Sequence, residues 1–216
     1  MLTQCCKFSH LVYHPHLFQN KKHIHIQSPS KANTRGIIVR DEDRAIVTFR
    51  GSNSMTDLME AAKIVPTRTK HGTVHSGFFQ QYTILKESVL EEVGKLKDIQ
   101  HVYFTGHSMG GCIAMLCALD STISHKYCYL FGSPAFCDEE MNQYTLSKLD
   151  DLLYVDVSTD LVAIVPLNPS FSKPTHRTLT LTSQIYNPFI SHSCSTYYDK
   201  LSQIPLKDRH PEDRLL

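Results

Sequence analysis

The sequence predicts an α/β domain in which a mixed, mostly parallel central sheet is flanked by helices. After residue 76, apolar segments of strand length alternate with helical patterns, an order typical of βαβ units and parallel strands. Earlier, GIIVR (36–40) and AIVTFR (45–50) are separated by the polar stretch DED (41–43), which predicts an antiparallel hairpin and makes the sheet mixed. The length of 216 residues fits a single domain, 1–216, with a sizeable core.

Apolar periodicity predicts the individual elements. Between Ser76 and Lys97, apolar side chains recur every three or four residues, which indicates an amphipathic helix. Further helices are predicted at 3–13, 109–120, 138–149 and 193–201, and further strands at 23–27, 101–106, 127–134 (strand and turn), 152–158 and 175–183. The basic segment TRTKH (67–71) is predicted to be a solvated loop, with contact to an anionic surface as the alternative. The polar tail at about 205–216 is expected to fray.

Composition and charge exclude several classes of protein. The formal net charge is +1 without a long block of one sign, which argues against a nucleic-acid binder. No stretch reaches the roughly 18–20 apolar residues that cross a bilayer, and no signal peptide is recognisable at the N-terminus. Seven cysteines at irregular spacing predict no disulfide framework. We therefore expect a cytoplasmic protein or one peripheral to an intracellular membrane, whereas the sequence leaves the oligomeric state open.

Thirteen histidines raise the question of a metal site. HPH (14–16) and HIH (23–25) resemble ligand pairs, but His23 and His25 alternate with isoleucines, the pattern of a strand with one wet face. No Cys or carboxylate cluster completes a site at the usual spacing. The sequence therefore predicts neither a metal nor a cofactor.

A serine between glycines is the strongest candidate for chemistry. Gly106-His107-Ser108-Met109-Gly110 is a G-x-S-x-G pentapeptide between a predicted strand and a predicted helix. A sharp turn there strains the serine backbone and projects its hydroxyl from the carboxyl edge of the sheet. The N-terminus of the following helix offers amides to a developing oxyanion. A glycine-rich helix start without chemistry is the alternative interpretation.

A serine nucleophile needs a histidine base and a carboxylate that orients the histidine. On a sheet of this type, the acid and then the base follow the serine along the chain. Asp160 lies just after the predicted strand 152–157, whereas its competitor Asp156 lies within that strand. For the base, His176 opens a predicted strand and His192 precedes a predicted helix, so both are candidates.

Several separated segments resemble, in order, the class 3 lipases, the α/β-hydrolase family of the fungal triacylglycerol lipases and the diacylglycerol lipases. The segments are IVTFRGSNSMTDL, GTVHSGFFQQY, VYFTGHSMGGCIAMLCALD, FGSPAF, STDLVAIVPL and ISHSCSTYY. They cover roughly residues 36–200, and their combination is far more specific than the pentapeptide alone. The resemblance implies an α/β-hydrolase fold.

The same resemblance implies roles for five residues. Ser108 corresponds to the nucleophile, Asp160 to the orienting acid and His192 to the base. Ser52, which follows Arg-Gly, and Met109, which follows the nucleophile, correspond to the two donors to the oxyanion.

The chain departs from the family pattern in places. Ala163 stands where the family has a proline after the acid, and residues 135–138 replace the family's Arg-Val-Gly-Asn. Neither change touches the triad, but both bear on the surroundings of the acid. At 54–63, a helix-start pattern and an apolar stripe predict a short helix, for which the resemblance implies a lid and the residues alone imply a helix docked on the core.

The resemblance implies a serine hydrolase that cleaves carboxylic esters of acylglycerols or phospholipids through an acyl-enzyme. Its expected partner is a lipid ester substrate, met at a membrane or micelle surface. An acyltransferase or a thioesterase with the same triad is one alternative, because access to the pocket selects the acceptor. A non-catalytic lipid-binding module is the other.

Overall fold

The structure is a computed structural model, and it describes residues 1–14, 23–27, 35–41, 43–51, 65–96, 98–174 and 177–205. The strands are β1 (His23–Gln27), β2 (Arg35–Asp41), β3 (Arg44–Phe49), β4 (Pro66–Thr69), β5 (Gly72–His75), β6 (His101–His107), β7 (Lys126–Phe131), β8 (Asp151–Val157) and β9 (Thr178–Leu181). Within the described residues, seven of them form one sheet in the order β1-β2-β3-β6-β7-β8-β9, and β4 pairs with β5 alone.

Helices connect these strands and cover the sheet. They are α1 (Leu2–Leu11), α2 (Ser76–Gly94), α3 (Met109–Asp120), α4 (Glu139–Lys148), α5 (Leu161–Ile164), α6 (Pro188–Ser191) and α7 (Cys194–Gln203). The predicted helices and strands within the described residues are confirmed, with their ends shifted by a few residues. α2 ends at Gly94, before the predicted Lys97, consistent with the poor helix propensity of glycine. The short helices α5 and α6 are not predicted by the sequence.

Parallel pairing brings the ends of the central strands to one edge. β3, β6, β7, β8 and β9 pair in parallel, whereas β2 is antiparallel to both β1 and β3. The predicted mixed, mostly parallel sheet is therefore confirmed. Because parallel strands end at the same edge, the residues that follow β6 and β8 meet there. Ser108 follows β6, and Asp160 follows β8 by three residues.

Apolar side chains cover both faces of the sheet. Along β6, Val102 and Phe104 belong to the core that contains the buried side chains of α2 and α3, whereas Tyr103 belongs to the core that contains those of α1 and α7. This alternation follows from the two-residue period of a strand. The sheet is therefore the middle of three layers, and both layers of helices border the edge where the strands end.

Residues 67–71 do not form the solvated loop that the sequence predicts. β4 and β5 pair as an antiparallel hairpin in which Thr67 lies opposite Val74. Val74 is fully buried and also bridges to Cys137, so the hairpin packs on the core. The prediction was wrong because the apolar residue that anchors the hairpin lies outside the basic segment on which the prediction was based.

Some predicted features lie outside the described residues. They are the oxyanion candidate Ser52, the segment 54–63, the alternative base His176, and the tail from 206 to 216. The described part of the candidate site therefore comprises Ser108, Asp160, His192 and their described neighbours.

Two neighbouring residues of α2 test the layered core. Leu85 is fully buried in the core that α2 shares with α3, whereas the adjacent Ile84 is 36% exposed. We expect Leu85→Ala to lower the free energy of unfolding by about 2–5 kcal/mol, because it leaves a cavity. Ile84→Ala serves as the matched control and should change it by no more than about 0.5 kcal/mol. Urea unfolding followed by circular dichroism measures both, and equal effects would contradict the orientation of α2.

Candidate active site

Ser108 occupies a strained turn between β6 and α3. Its backbone dihedrals are φ 56° and ψ −131°, and no other non-glycine residue in the described part of the chain has a positive φ. Such a conformation costs about 1–3 kcal/mol and persists only where its surroundings hold it. The Ser108 amide donates to the Phe131 carbonyl (2.9 Å), and the Ser108 carbonyl accepts from the Gly111 amide (3.0 Å) and the Ser133 hydroxyl (3.1 Å). These bonds anchor the turn to β7 and α3.

Glycines make this turn possible. A Cβ atom at Gly106 would overlap the backbone of Gly110, and one at Gly110 would overlap the carbonyl oxygen of Phe49 at the end of β3. A Cβ atom at Gly111 would overlap the Ser133 hydroxyl. The first turn of α3 therefore lies directly against the sheet, at a distance that no larger residue permits.

His192 joins the serine to a carboxylate. Its Nε2 atom lies 3.0 Å from Ser108 Oγ, and its Nδ1 atom lies 2.8 Å from Asp160 Oδ2. A carboxylate accepts hydrogen bonds and does not donate them, so Nδ1 carries the hydrogen and donates it to Asp160. Nε2 is then the acceptor for the serine hydroxyl, which is the arrangement that a general base for serine requires.

The loop that carries His192 is tied to the loop that carries Asp160. The Ser191 hydroxyl donates to the Thr159 carbonyl at 3.1 Å, which links the residues directly before the histidine and the aspartate. The short helix α6 ends just before His192, and the Asn187 side chain caps its first amides. These bonds fix the spacing between the two loops.

The carboxylate of Asp160 is fully buried and hydrogen-bonded on both oxygens. Oδ1 accepts from the amides of Val162 (3.0 Å) and Ala163 (3.4 Å), while Oδ2 accepts from the Tyr197 hydroxyl (2.5 Å) and from His192. These partners compensate for the removal of a carboxylate from water. The second amide exists because the chain carries alanine where the family that it resembles has proline, which lacks an N–H group.

Tyr197 is a site residue that the sequence does not predict. Its hydroxyl accepts from the Val157 amide (3.1 Å), so the phenol hydrogen is directed to Asp160. Burial, followed by the proximity of Asp160, raises the pKa of Tyr197 well above its usual value and keeps the phenol a donor. Gly132, at φ 56°, makes room, since a Cβ atom there would lie 2.9 Å from the phenol oxygen. The sequence shows only a tyrosine within a helix.

Asp156, the competing acid, has a different partner. Its carboxylate accepts from Lys173 Nζ at 2.7 and 3.0 Å, and both side chains are 9% exposed. Burial raises the pKa of Asp156, and the lysine opposes that change. Lys173 Nζ also donates to the Ala163 carbonyl (2.8 Å), so the pair braces the chain that follows Asp160.

His107 and Met109 flank the serine. Met109 is the first residue of α3, where the helix amides point toward the end of the sheet. His107 is buried, and its ring centroid lies 4.8 Å from that of His192. Burial and the nearby His192 lower the pKa of His107 well below its usual value, so the ring is neutral. In the described part of the chain, no three His, Cys, Asp or Glu side chains cluster in a way that would hold a metal ion.

Comparisons of the sequence identify a family. A profile of the family Lipase (class 3) matches residues 46–170, a range that includes Ser108 and Asp160 but ends before His192. A lipase of Rhizomucor miehei is 32% identical over 130 residues, which are 53% of this chain and 36% of that protein. The chain spans less than half the length of the curated relatives that it matches.

Comparisons of the structure agree on the fold. A solved triacylglyceride lipase of Rhizomucor miehei superposes with a TM-score of 0.70 at 21% identity, covering 88% of this chain and 80% of that one. A mono- and diacylglycerol lipase from Aspergillus oryzae gives 0.69 at 16% identity, covering 80% and 76%. The predicted α/β-hydrolase fold is therefore confirmed.

The hydrogen bond from Tyr197 to Asp160 leads to a measurable prediction. Tyr197→Phe removes this bond and should slow covalent labelling of Ser108 by a fluorophosphonate about 10-fold to 100-fold, since bonds to charged groups contribute about 1.5–3 kcal/mol. Labelling rates under pseudo-first-order conditions measure the effect. Tyr198→Phe is the matched control, because the Tyr198 hydroxyl makes no hydrogen bond within the described residues. Equal rates for the two variants would show that Tyr197 contributes only packing.

Proposed function

Since this chain belongs to the class 3 lipase family, we propose that it is a serine hydrolase that cleaves carboxylic ester bonds of lipids. The observation that supports this most is the unbroken series of hydrogen bonds from Ser108 through His192 to Asp160, with distances of 3.0 and 2.8 Å. In the proposal, Ser108 is the nucleophile, His192 the general base and Asp160 the acid that orients it.

The first half of the reaction forms an acyl-enzyme. Ser108 Oγ attacks the ester carbonyl carbon while its proton moves to His192 Nε2, and the carbonyl oxygen becomes an oxyanion. The proposed donors to this oxyanion are the amide of Met109 and residue Ser52. When the tetrahedral intermediate collapses, the C–O bond to the alcohol breaks, and His192 gives its proton to the leaving oxygen. Loss of one oxyanion donor typically reduces such a rate about 10²–10³-fold.

The second half releases the acid. Water takes the position of the alcohol, His192 Nε2 accepts its proton, and the hydroxide attacks the acyl carbon. Collapse of this second intermediate breaks the bond to Ser108 Oγ, and the histidine returns the proton to the serine. Asp160 stabilises the imidazolium in both halves, because its carboxylate is held against Nδ1.

Exposed apolar side chains favour a lipid substrate met at a surface. Leu161, Ile164 and Val165 follow Asp160, and Phe189 and Ile190 precede His192; all five are between 50% and 67% exposed. Such a group of large apolar side chains on the loops of the acid and the base suits contact with acyl chains. We propose acylglycerols or phospholipids in a membrane or micelle as the substrate. No helix in the described ranges is both long enough and apolar enough to cross a bilayer.

We also propose that the chain forms one domain. Both apolar cores share the same sheet, and the hydrogen-bonded series joins residues from the middle and the last third of the chain.

An acyltransferase or thioesterase with the same three residues is the second candidate function. Product analysis in the presence of a competing alcohol or thiol separates these activities from hydrolysis.

The role of Ser108 is tested by removing one oxygen atom. Ser108→Ala should abolish hydrolysis of a short soluble ester and all labelling by a fluorophosphonate, because the attacking atom is gone. Ser147→Ala, on the exposed face of α4, is the control and should retain both. An unlabelled wild-type protein without turnover would favour a lipid-binding module, and full activity of Ser108→Ala would refute the proposed mechanism.

The exposed apolar side chains are tested by comparing two substrates. Phe189→Ser combined with Ile190→Ser should lower the ratio of micellar diacylglycerol hydrolysis to soluble ester hydrolysis about tenfold. Burying one such side chain in lipid contributes about 1.5–3 kcal/mol at most, and these are already partly covered. Ile84→Ser, an exposed isoleucine on α2, is the control and should leave the ratio unchanged. An unchanged ratio in the double variant would argue against contact with the lipid surface.

A further inference from the structure

The chain that leads to Ser52 lies in contact with the nucleophile turn. A Cβ atom at Gly51 would lie 2.6 Å from the His107 carbonyl oxygen, 3.3 Å from Ser108 Cβ and 2.5 Å from the Tyr13 hydroxyl. Glycine is therefore required here by space. Glycine also leaves the backbone at this position more conformational freedom than any other residue would. The chain at Gly51 therefore needs a second constraint to hold it against the turn.

Tyr13 supplies a constraint of this kind. Its hydroxyl oxygen accepts a hydrogen bond from the Gly51 amide at 3.1 Å and lies 3.2 Å from His107 Nδ1. The tyrosine follows α1, on the opposite face of the sheet from α3. It therefore reaches the same edge of the sheet as the serine, and contacts both the chain before Ser52 and the residue before Ser108.

The direction of each hydrogen bond follows from the protonation states. Burial raises the pKa of Tyr13, so the phenol keeps its hydrogen, and burial lowers the pKa of His107, so the ring is neutral. The Gly51 amide can only donate, which leaves the phenol hydrogen for His107 Nδ1. A neutral ring that accepts at Nδ1 has its hydrogen on Nε2. The bonds thus run from Gly51 to Tyr13 to His107.

We propose that Tyr13 is a positioning residue for the turn that carries Ser108 and the oxyanion donor Met109. By holding the Gly51 amide and the His107 ring with one hydroxyl, it fixes the chain at Gly51 against the turn that carries Ser108 and Met109. The amide of Met109, a proposed oxyanion donor, then keeps the alignment that a tetrahedral oxyanion needs. This inference rests on the proposed function, because it presumes that an oxyanion forms at Ser108.

A positioning role of Tyr13 predicts a specific pattern in the kinetic constants. Oxyanion donors act mainly in the transition state, so a loss of their alignment lowers kcat and leaves KM nearly unchanged. It also weakens tetrahedral inhibitors, which place an oxyanion between the donors, by the same factor as kcat. If Tyr13 contributed only packing, its loss would not change kcat and the inhibition constant of such an inhibitor by the same factor.

Tyr13→Phe is the test, because it removes one oxygen atom and preserves the ring. We expect kcat for a short soluble ester to fall about 10-fold to 100-fold, as for a displaced catalytic group, with KM within about twofold. The inhibition constant of a trifluoromethyl ketone should rise by the same factor. Titration of reactive Ser108 with a fluorophosphonate normalises kcat to folded sites, so that partial unfolding does not imitate the effect.

Tyr198→Phe is the matched control, a half-buried tyrosine in the same layer that has no hydrogen bond from its hydroxyl within the described residues. It should keep the wild-type kcat and inhibition constant. Two results would overturn the proposal: a Tyr13→Phe variant with wild-type kcat, or one whose kcat falls while its affinity for the ketone does not. Failure of the proposed function is distinguishable, because the wild-type protein would then neither hydrolyse the ester nor be labelled at Ser108.

Discussion

The contact between the first turn of α3 and the end of β3 is the constraint on which the site depends. The absent Cβ atom of Gly110 lets the helix approach the Phe49 carbonyl oxygen, and Ser108 enters this helix with a positive φ. The strain of about 1–3 kcal/mol at the serine must be offset by the bonds around it. The same contact places Gly51, two residues after Phe49, against Ser108.

Around this contact, both faces of the sheet contribute side chains. α3 provides the turn, while Tyr13 after α1 and Tyr197 in α7 reach the edge from the other face. The two tyrosines are arranged alike: each phenol accepts from a backbone amide and donates to a side chain beside the serine or the histidine. The backbone at the strand ends is thereby linked to the reacting groups.

The features that depend on local residue patterns could be predicted from the sequence. The alternation of strands and helices predicted the sheet. The pentapeptide and the position of Asp160 predicted two site residues, and the resemblance to class 3 lipases chose His192 over His176; the structure brings all three within hydrogen-bonding distance. The two tyrosines could not be predicted, because tertiary packing alone selects the partners of their hydroxyls. Likewise, the hairpin of β4 and β5 depends on the contact between Val74 and Cys137, which lie far apart in the chain.

Asp160 illustrates what such packing provides for chemistry. Its carboxylate is already surrounded by two amides, a phenol and an imidazole before any substrate arrives. In water, dipoles must rotate whenever a charge appears on a neighbouring group, and this reorganisation raises the barrier of ionic reactions. Here the dipoles that face the imidazole are fixed by folding. The dipoles are oriented once, when the chain folds, so the free energy of orienting them does not add to the barrier of each catalytic cycle.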